Sequence, residues 1–196
     1  MTQESLIQVA AAHPLEFAPG SSGQYSNVGY EVLGRVVEQV TRQPLAIALG
    51  TEHLRSSGHG GLWAFGIRHR EGLFRVKACR RPVSAVHPCR RGVVSTVHDI
   101  DRFYTALWAG ELLDQELVEA MSQPAGVAAS IDAEYGMGVW FEHEPCGEAM
   151  GHSGAGPGLK TRAWTLPHAA SSVVVVVNDG DGATIADDLA AVALCP

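Results

Sequence analysis

Two short polar clusters hold the side chains best suited to chemistry. The first is Tyr25-Ser26-Asn27, which follows a Pro/Gly/Ser-rich stretch (residues 14–23) and precedes an apolar-periodic run. A helix N-terminus presents unpaired amides and a positive end. A tyrosine placed there could be stabilised as phenolate and act as a base. Asn27 offers both a donor and an acceptor to an amide-bearing substrate. The plainer alternative is that Tyr25 packs and Asn27 only caps the helix. The second cluster is Gly151-His152-Ser153-Gly154-Ala155-Gly156-Pro157-Gly158. Its glycines would let a ligand approach the backbone, and His152 and Ser153 supply a titratable ring and a hydroxyl. Its plainer alternative is a glycine-rich turn before a strand.

Other motifs fail on inspection. Leu159 separates Gly158 from Lys160 where a phosphate loop needs Gly-Lys. The stretch 178–182 hints at a calcium loop, but Ala183 and Ala190 stand where oxygen ligands belong. Cys79, Cys89, Cys146 and Cys195 form no C-x-x-C pair, so no zinc site is expected. Free thiols and one incidental disulfide both remain open. No metal and no cofactor are expected.

The elements that must position these clusters follow from periodicity. A short helix is expected over residues 2–12. A stronger one spans 28–41, where Val28, Val32, Leu33, Val36, Val37 and Val40 recur at helical spacing. Ser26 or Asn27 can cap it. Thr96-Val97-His98-Asp99 is a capping box opening a helix that ends near Gly110, with Ile100, Phe103 and Leu107 inward. Residues 114–122 suggest another helix. Strands are expected over 135–142, 162–166 and 172–178. Thr184-Ile185-Ala186-Asp187 is a second capping box, which would start a C-terminal helix. The order of helices, then strands, then a helix predicts an α+β fold with an antiparallel sheet flanked by helices. Residues 1–125 form the mostly helical part and 126–196 the strands and final helix.

Composition narrows the function classes. The chain has 196 residues, 46% hydrophobic and 18% charged, with a net charge of −7. That permits a real core and argues against a nucleic-acid binder, which needs a basic face. No apolar run approaches the length of a membrane span, and no signal peptide is visible at Met1. Charge is uneven: residues 51–91 hold nine of the 14 basic residues and two of the 21 acids, so this window carries +7 against −14 elsewhere. It reads as an irregular basic insert with little periodicity. A basic binding loop, a surface excursion and a stretch altered by a compensated frame disruption all remain open.

Taken together, several segments resemble the serine β-lactamase-related group, which includes class C β-lactamases, D-alanyl-D-alanine carboxypeptidases and esterases. They are the segment 14–20, Tyr25-Ser26-Asn27 with the run to Gly34, Gly92-Val93-Val94-Ser95-Thr96 with Asp99, Tyr135-Gly136-Met137-Gly138-Val139-Trp140, Gly151-His152-Ser153-Gly154, and the valine-rich strand to Asn178. The resemblance covers residues 1–50 and 92–196. It implies a β-lactamase/transpeptidase-like fold and an acyl-transfer mechanism through a serine acyl-enzyme, with a β-lactam, peptide or ester as the small-molecule or peptide substrate. Tyr25 would relay protons and Asn27 would hold the substrate amide. His152, Ser153 and Gly154 would stand for the family's Lys-Thr-Gly element and face the substrate. The Ala155 N–H would be an oxyanion donor.

The chain departs from that family in one decisive respect. No serine is followed by lysine three positions later, and only 24 residues precede Tyr25. The chain therefore reads as a domain lacking its N-terminal part, inactive alone. The rivals are a non-catalytic binding or regulatory domain using the same cleft for a peptide or cell-wall fragment, and an enzyme with Ser26 or Ser153 as substitute nucleophile. The five valines from Val173 to Val177 are expected at a sheet edge, inviting self-association. Relatives of this kind are often exported, so the missing signal peptide leaves localisation undetermined.

Overall fold

The computed structural model describes residues 3–48, 62–69, 72–79, 93–125, 127–128, 133–156, 158–167, 171–178 and 183–196. Three helices come first: α1 (Gln3–Ala11), α2 (Asn27–Thr41) and α3 (Leu45–Ala48). Ser26, in extended backbone, caps α2 by accepting a hydrogen bond from the Gly29 N–H at 3.2 Å. The helix ends at Arg42, which takes the left-handed conformation at φ 58°. The Glu38 carboxylate then accepts from the Leu45 N–H at 2.9 Å and fixes the start of α3. The apolar stripe of α2 is only partly covered, and Val32, Leu33, Val36 and Val40 stay exposed.

Part of the window 51–91, expected to be irregular, is described as strand. Within it β1 (Leu62–His69) and β2 (Gly72–Cys79) pair antiparallel, with Leu62 opposite Cys79 and His69 opposite Gly72. β3 (Val93–Val94) joins β2 to make a three-stranded sheet. Phe74, Val76 and Ala78 alternate with Arg75 and Lys77, a period of two obscured by the density of charge. The rest of that window lies outside the described residues, as do residues 179–182 of the calcium-loop candidate and Pro157.

α4 (Val97–Trp108) opens on Thr96, whose hydroxyl oxygen accepts from the Asp99 N–H at 3.1 Å and donates to the Asp99 carboxylate at 2.9 Å. Thr96 thus caps the helix, as the sequence pattern predicted. α5 (Gln115–Met121) follows. The second sheet has six antiparallel strands in chain order: β4 (Val127–Ala128), β5 (Ala133–Tyr135), β6 (Trp140–Glu144), β7 (Gly147–Gly156), β8 (Leu159–Leu166) and β9 (Ser171–Val177). α6 (Ala183–Leu194) closes the chain.

Three expectations need correction. The strand expected over 135–142 is two strands, broken where Gly138 takes φ +85° and the Gly136 N–H turns to the Val139 carbonyl at 2.9 Å. The cluster 151–156 is not a turn but the second half of β7. A Cβ on Gly151 would lie against the Ala163 carbonyl oxygen and 2.8 Å from the Trp164 ring, so glycine here admits the neighbouring strand rather than a bend. Thr184 is not the cap of α6, which already includes Ala183.

Helices cover both faces of the six-stranded sheet. Trp164, Leu166, Val173 and Val175 pack with Ala149 against Ala190 and Leu194 of α6. Val139, Phe141 and Met150 pack with Trp108 of α4 and Met121 of α5. The Ser172 hydroxyl donates to Asp101 of α4, while Arg162 on β8 reaches Asp187 of α6. Alternation along the strands thus separates the two faces. β9 is the outer strand, as expected, and is paired only to β8 among the described residues. Helices cover its faces, so of its side chains only Val176 is exposed. A disulfide joins Cys146, in the β6–β7 turn, to Cys195 just past α6, with Cα atoms 5.5 Å apart.

Candidate active site

The cap at Ser26 and the open half of β7 place the two polar clusters together. β6 pairs with β7 only along residues 147–151. Residues 152–156 pair with β8 alone, leaving the other side of the strand without a ladder partner among the described residues. The Tyr25 ring lies there, its centroid 6.0 Å from that of His152. The Tyr25 hydroxyl donates to Asn27 Oδ1 at 3.3 Å. That leaves the Asn27 amide N–H groups as donors toward a ligand.

Three aromatic residues that the sequence reading had not singled out complete the group. Tyr30 and Tyr135 each have ring centroids 5.7 Å from Tyr25, and their hydroxyls share a short hydrogen bond. Trp140 stacks on His152 at 4.9 Å. The signal for Tyr30 was local, since it sits one turn into α2. Tyr135 and Trp140 bound one of the family-like segments, but their place beside His152 depends on the turn at Gly136 and Gly138.

The imidazole is held by two bonds of fixed sense. His152 Nδ1 lies 2.6 Å from the Ser153 carbonyl oxygen, which can only accept, so Nδ1 carries the proton. Nε2 then accepts from the Tyr135 hydroxyl at 3.1 Å. Burial lowers the His152 pKa below its ordinary value, outweighing the bond to Ser153 that raises it. The ring is therefore neutral near pH 7. Burial raises the Tyr25 pKa, and the neighbouring Tyr30 raises it further. The phenolate suggested by the helix end is thus not favoured. Desolvation and an adjacent phenol outweigh the helix field, whose first free amide is already taken by Ser26. Burial, then the Tyr30 hydroxyl, also lifts Tyr135 well above the usual phenol range.

Not every candidate meets in the cleft. Ser153 opposes Arg162 in the register, and Arg162 turns to α6. The Ser153 side chain therefore projects to the face opposite His152. Gly154 shares the His152 side of the strand, where a Cβ would collide with the Thr161 hydroxyl. Ala155 lies exposed in the unpartnered half of β7. A cavity nearby does not include Tyr25 or His152 among its lining. It is an apolar groove of about 460 Å³ between α4, α5 and the turn at Gly138, lined by Phe103, Tyr104, Leu107, Leu113, Met121 and Val139. It adjoins the cluster through Gly138, where an added Cβ would lie 3.7 Å from the Tyr30 hydroxyl. Burial pushes the Tyr104 pKa up to about 12.

Comparisons with known proteins bear on the fold and the family. Esterase EstB of Burkholderia gladioli is 56% identical over 46 residues, which are 24% of this chain and 11% of that protein. A D-stereospecific amidohydrolase from Streptomyces sp. superposes with a TM-score of 0.69 at 23% identity, over 97% of this chain and 61% of that one. A penicillin-binding protein from Bacillus halodurans gives 0.68 at 21% identity, over 95% and 60%. The chain thus spans about three-fifths of these two structures. A family profile described as Beta-lactamase matches residues 1–194. With the α+β layout and the order of its motifs, this match shows that the chain belongs to the Beta-lactamase family.

Proposed function

We propose that the cleft between Tyr25 and His152 is the substrate-binding wall of an acyl-transfer hydrolase acting on β-lactam, peptide or ester substrates. The observation that carries this reading is the 6.0 Å approach of the two rings across the unpartnered half of β7. In this reading Asn27 holds the substrate carbonyl through its amide N–H groups, and the neutral Tyr25 hydroxyl hands a proton to the leaving group. The Ala155 N–H serves as an oxyanion donor. His152 replaces a family lysine, and an uncharged imidazole cannot pair with a substrate carboxylate as an ammonium would. An uncharged amide or ester therefore fits better than a free acid. The apolar groove beyond Gly138 supports a substrate with an apolar side chain.

The polypeptide itself does not supply the attacking group in this reading. Its two lysines, Lys77 and Lys160, follow Phe74 and Pro157 by three residues, not a serine. Ser26 is engaged as a cap and Ser153 faces α6. These two placements favour the second reading, a non-catalytic domain that binds a peptide or cell-wall fragment in the same cleft. A chromogenic β-lactam and a p-nitrophenyl ester, each followed by mass spectrometry for a covalent adduct, test the pair. No adduct and no turnover are expected of these 196 residues. A burst of acylation on any serine would overturn this assignment. Saturable binding of a cell-wall peptide, lost in Tyr25→Ala, would favour the binding domain.

A further inference from the structure

Three exposed side chains converge at one corner of the six-stranded sheet: Glu134 on β5, His143 on β6 and Glu148 on β7. The register puts them there. Glu134 opposes Phe141, two residues before His143, and His143 opposes Glu148. Residues two apart on a strand, or opposite across an antiparallel pair, share a face. All three therefore project from the face that carries Phe141 and Met150. One ligand atom from each lies within 4.8 Å of the other two, and His143 Nδ1 is 3.7 Å from the Glu148 carboxylate. His143, on the middle strand, stands between the two carboxylates, so all three ligand atoms can turn to one point.

We propose that Glu134, His143 and Glu148 form a site for a divalent transition-metal ion of the zinc type, with water completing the coordination. An imidazole and two carboxylates are a donor set that suits zinc and its neighbours. Bonds of about 2.1 Å to a tetrahedral ion place its ligands about 3.4 Å apart. Small torsional changes in three solvent-exposed side chains close the remaining gap. The expectation of no metal rested on cysteine spacing and a failed calcium loop; this site uses neither. It would also reach the cleft indirectly. β5 is three residues long, and Tyr135, next to Glu134, bonds His152. An ion here would tie β5 to β6 and β7 and hold Tyr135 in place.

The test is calorimetric titration of the whole metal-stripped chain with zinc chloride, alongside His143→Ala, Glu134→Gln and Glu148→Gln. One bound ion is expected, with affinity falling at least about tenfold in each variant, since even outer-shell changes cost that much. Hydrogen exchange at the Glu134 and Tyr135 amides should slow when zinc is added to the unaltered protein. Failure of the unaltered chain to bind zinc would overturn the proposal. So would equal affinity in the two glutamine variants, which change only exposed side chains and keep their shape. Both outcomes are independent of whether the cleft turns over any substrate.

Discussion

The Tyr135 hydroxyl donates to His152 Nε2 at 3.1 Å while His152 Nδ1 donates to the Ser153 carbonyl at 2.6 Å. Both ring nitrogens are thus committed, and burial keeps the ring in its neutral form. Tyr135→Phe removes the donor to Nε2 and little volume. In the variant Nε2 loses its donor while Nδ1 keeps its acceptor, so the neutral ring should stay protonated at Nδ1. The 15N shifts of the two ring nitrogens, read by NMR above pH 7.5, measure it. A ring protonated at Nε2 in the unaltered protein would contradict the assigned tautomer.

The lowered His152 pKa also has a consequence for stability. An unfolded histidine titrates near 6.5, and the folded ring titrates below that. Between the two values the unfolded chain binds the extra proton, so stability rises with pH across that window. The contribution is complete above the unfolded value and is lost as pH falls toward the folded one. Urea unfolding at pH 7.5 and pH 5.5 should show a smaller difference for His152→Gln than for the unaltered chain. The other histidines contribute equally to both proteins and cancel. Equal differences would remove His152 as a source of acid sensitivity.

What could be read without coordinates was what local chemistry decides. Ser26 and Thr96 announce their helices because a cap is satisfied within three residues. Asp187 met the same local pattern but is drawn to Arg162, 25 positions away, and α6 starts elsewhere. β7 was hidden for a similar reason. Gly151 and Gly154 look like turn formers, yet at both positions β8 comes too close for a Cβ. The pairing of Tyr25 with His152 was legible only through the order of motifs. Tyr135 and Trp140 were legible only as the ends of a family-like segment, since their approach to His152 is set by a turn that bonds to the Met121 carbonyl.

Gly151 is a position where adding one methyl should be costly. Its missing Cβ is replaced by the Ala163 carbonyl and the Trp164 ring, both in the core sheet and neither free to move. Gly151→Ala is expected to destabilise by about 1–3 kcal/mol, the usual range for overpacking. Gly158→Ala serves as a control for volume, since nothing lies within 4 Å of its added Cβ, although its φ of +71° brings backbone strain. Chemical denaturation of both reads the difference. An unchanged midpoint for Gly151→Ala would show that β7 and β8 can separate locally.

Arg162 and Asp187 form a two-point ion pair that joins β8 to α6, with the arginine side chain 13% exposed and the aspartate 47%. The exposure is lopsided, so the costs of removal should be too. Asp187→Ala leaves a mostly covered guanidinium without its partner and is expected to cost about 1.5–3 kcal/mol. Arg162→Met leaves a carboxylate that water can reach and should cost less. The double variant should be less destabilised than the sum of the singles. Additive values in a double-mutant cycle would mean that the pair contributes nothing beyond its separate packing.

The Cys146–Cys195 disulfide closes a loop of 49 residues that contains β7, β8, β9 and α6. It therefore restrains the unfolded chain over the very strands that carry His152. Loop-closure entropy for that length gives about 4 kcal/mol as an upper figure, and about 2–4 kcal/mol is the usual outcome. The paired substitution Cys146→Ser with Cys195→Ser is a cleaner probe than a reducing agent, because Cys79 and Cys89 are left unchanged. Its urea midpoint should fall while the slope rises, since the unlinked chain exposes more surface on unfolding. A midpoint equal to that of the unaltered protein would mean that the sheet and α6 hold this end of the chain without the bridge.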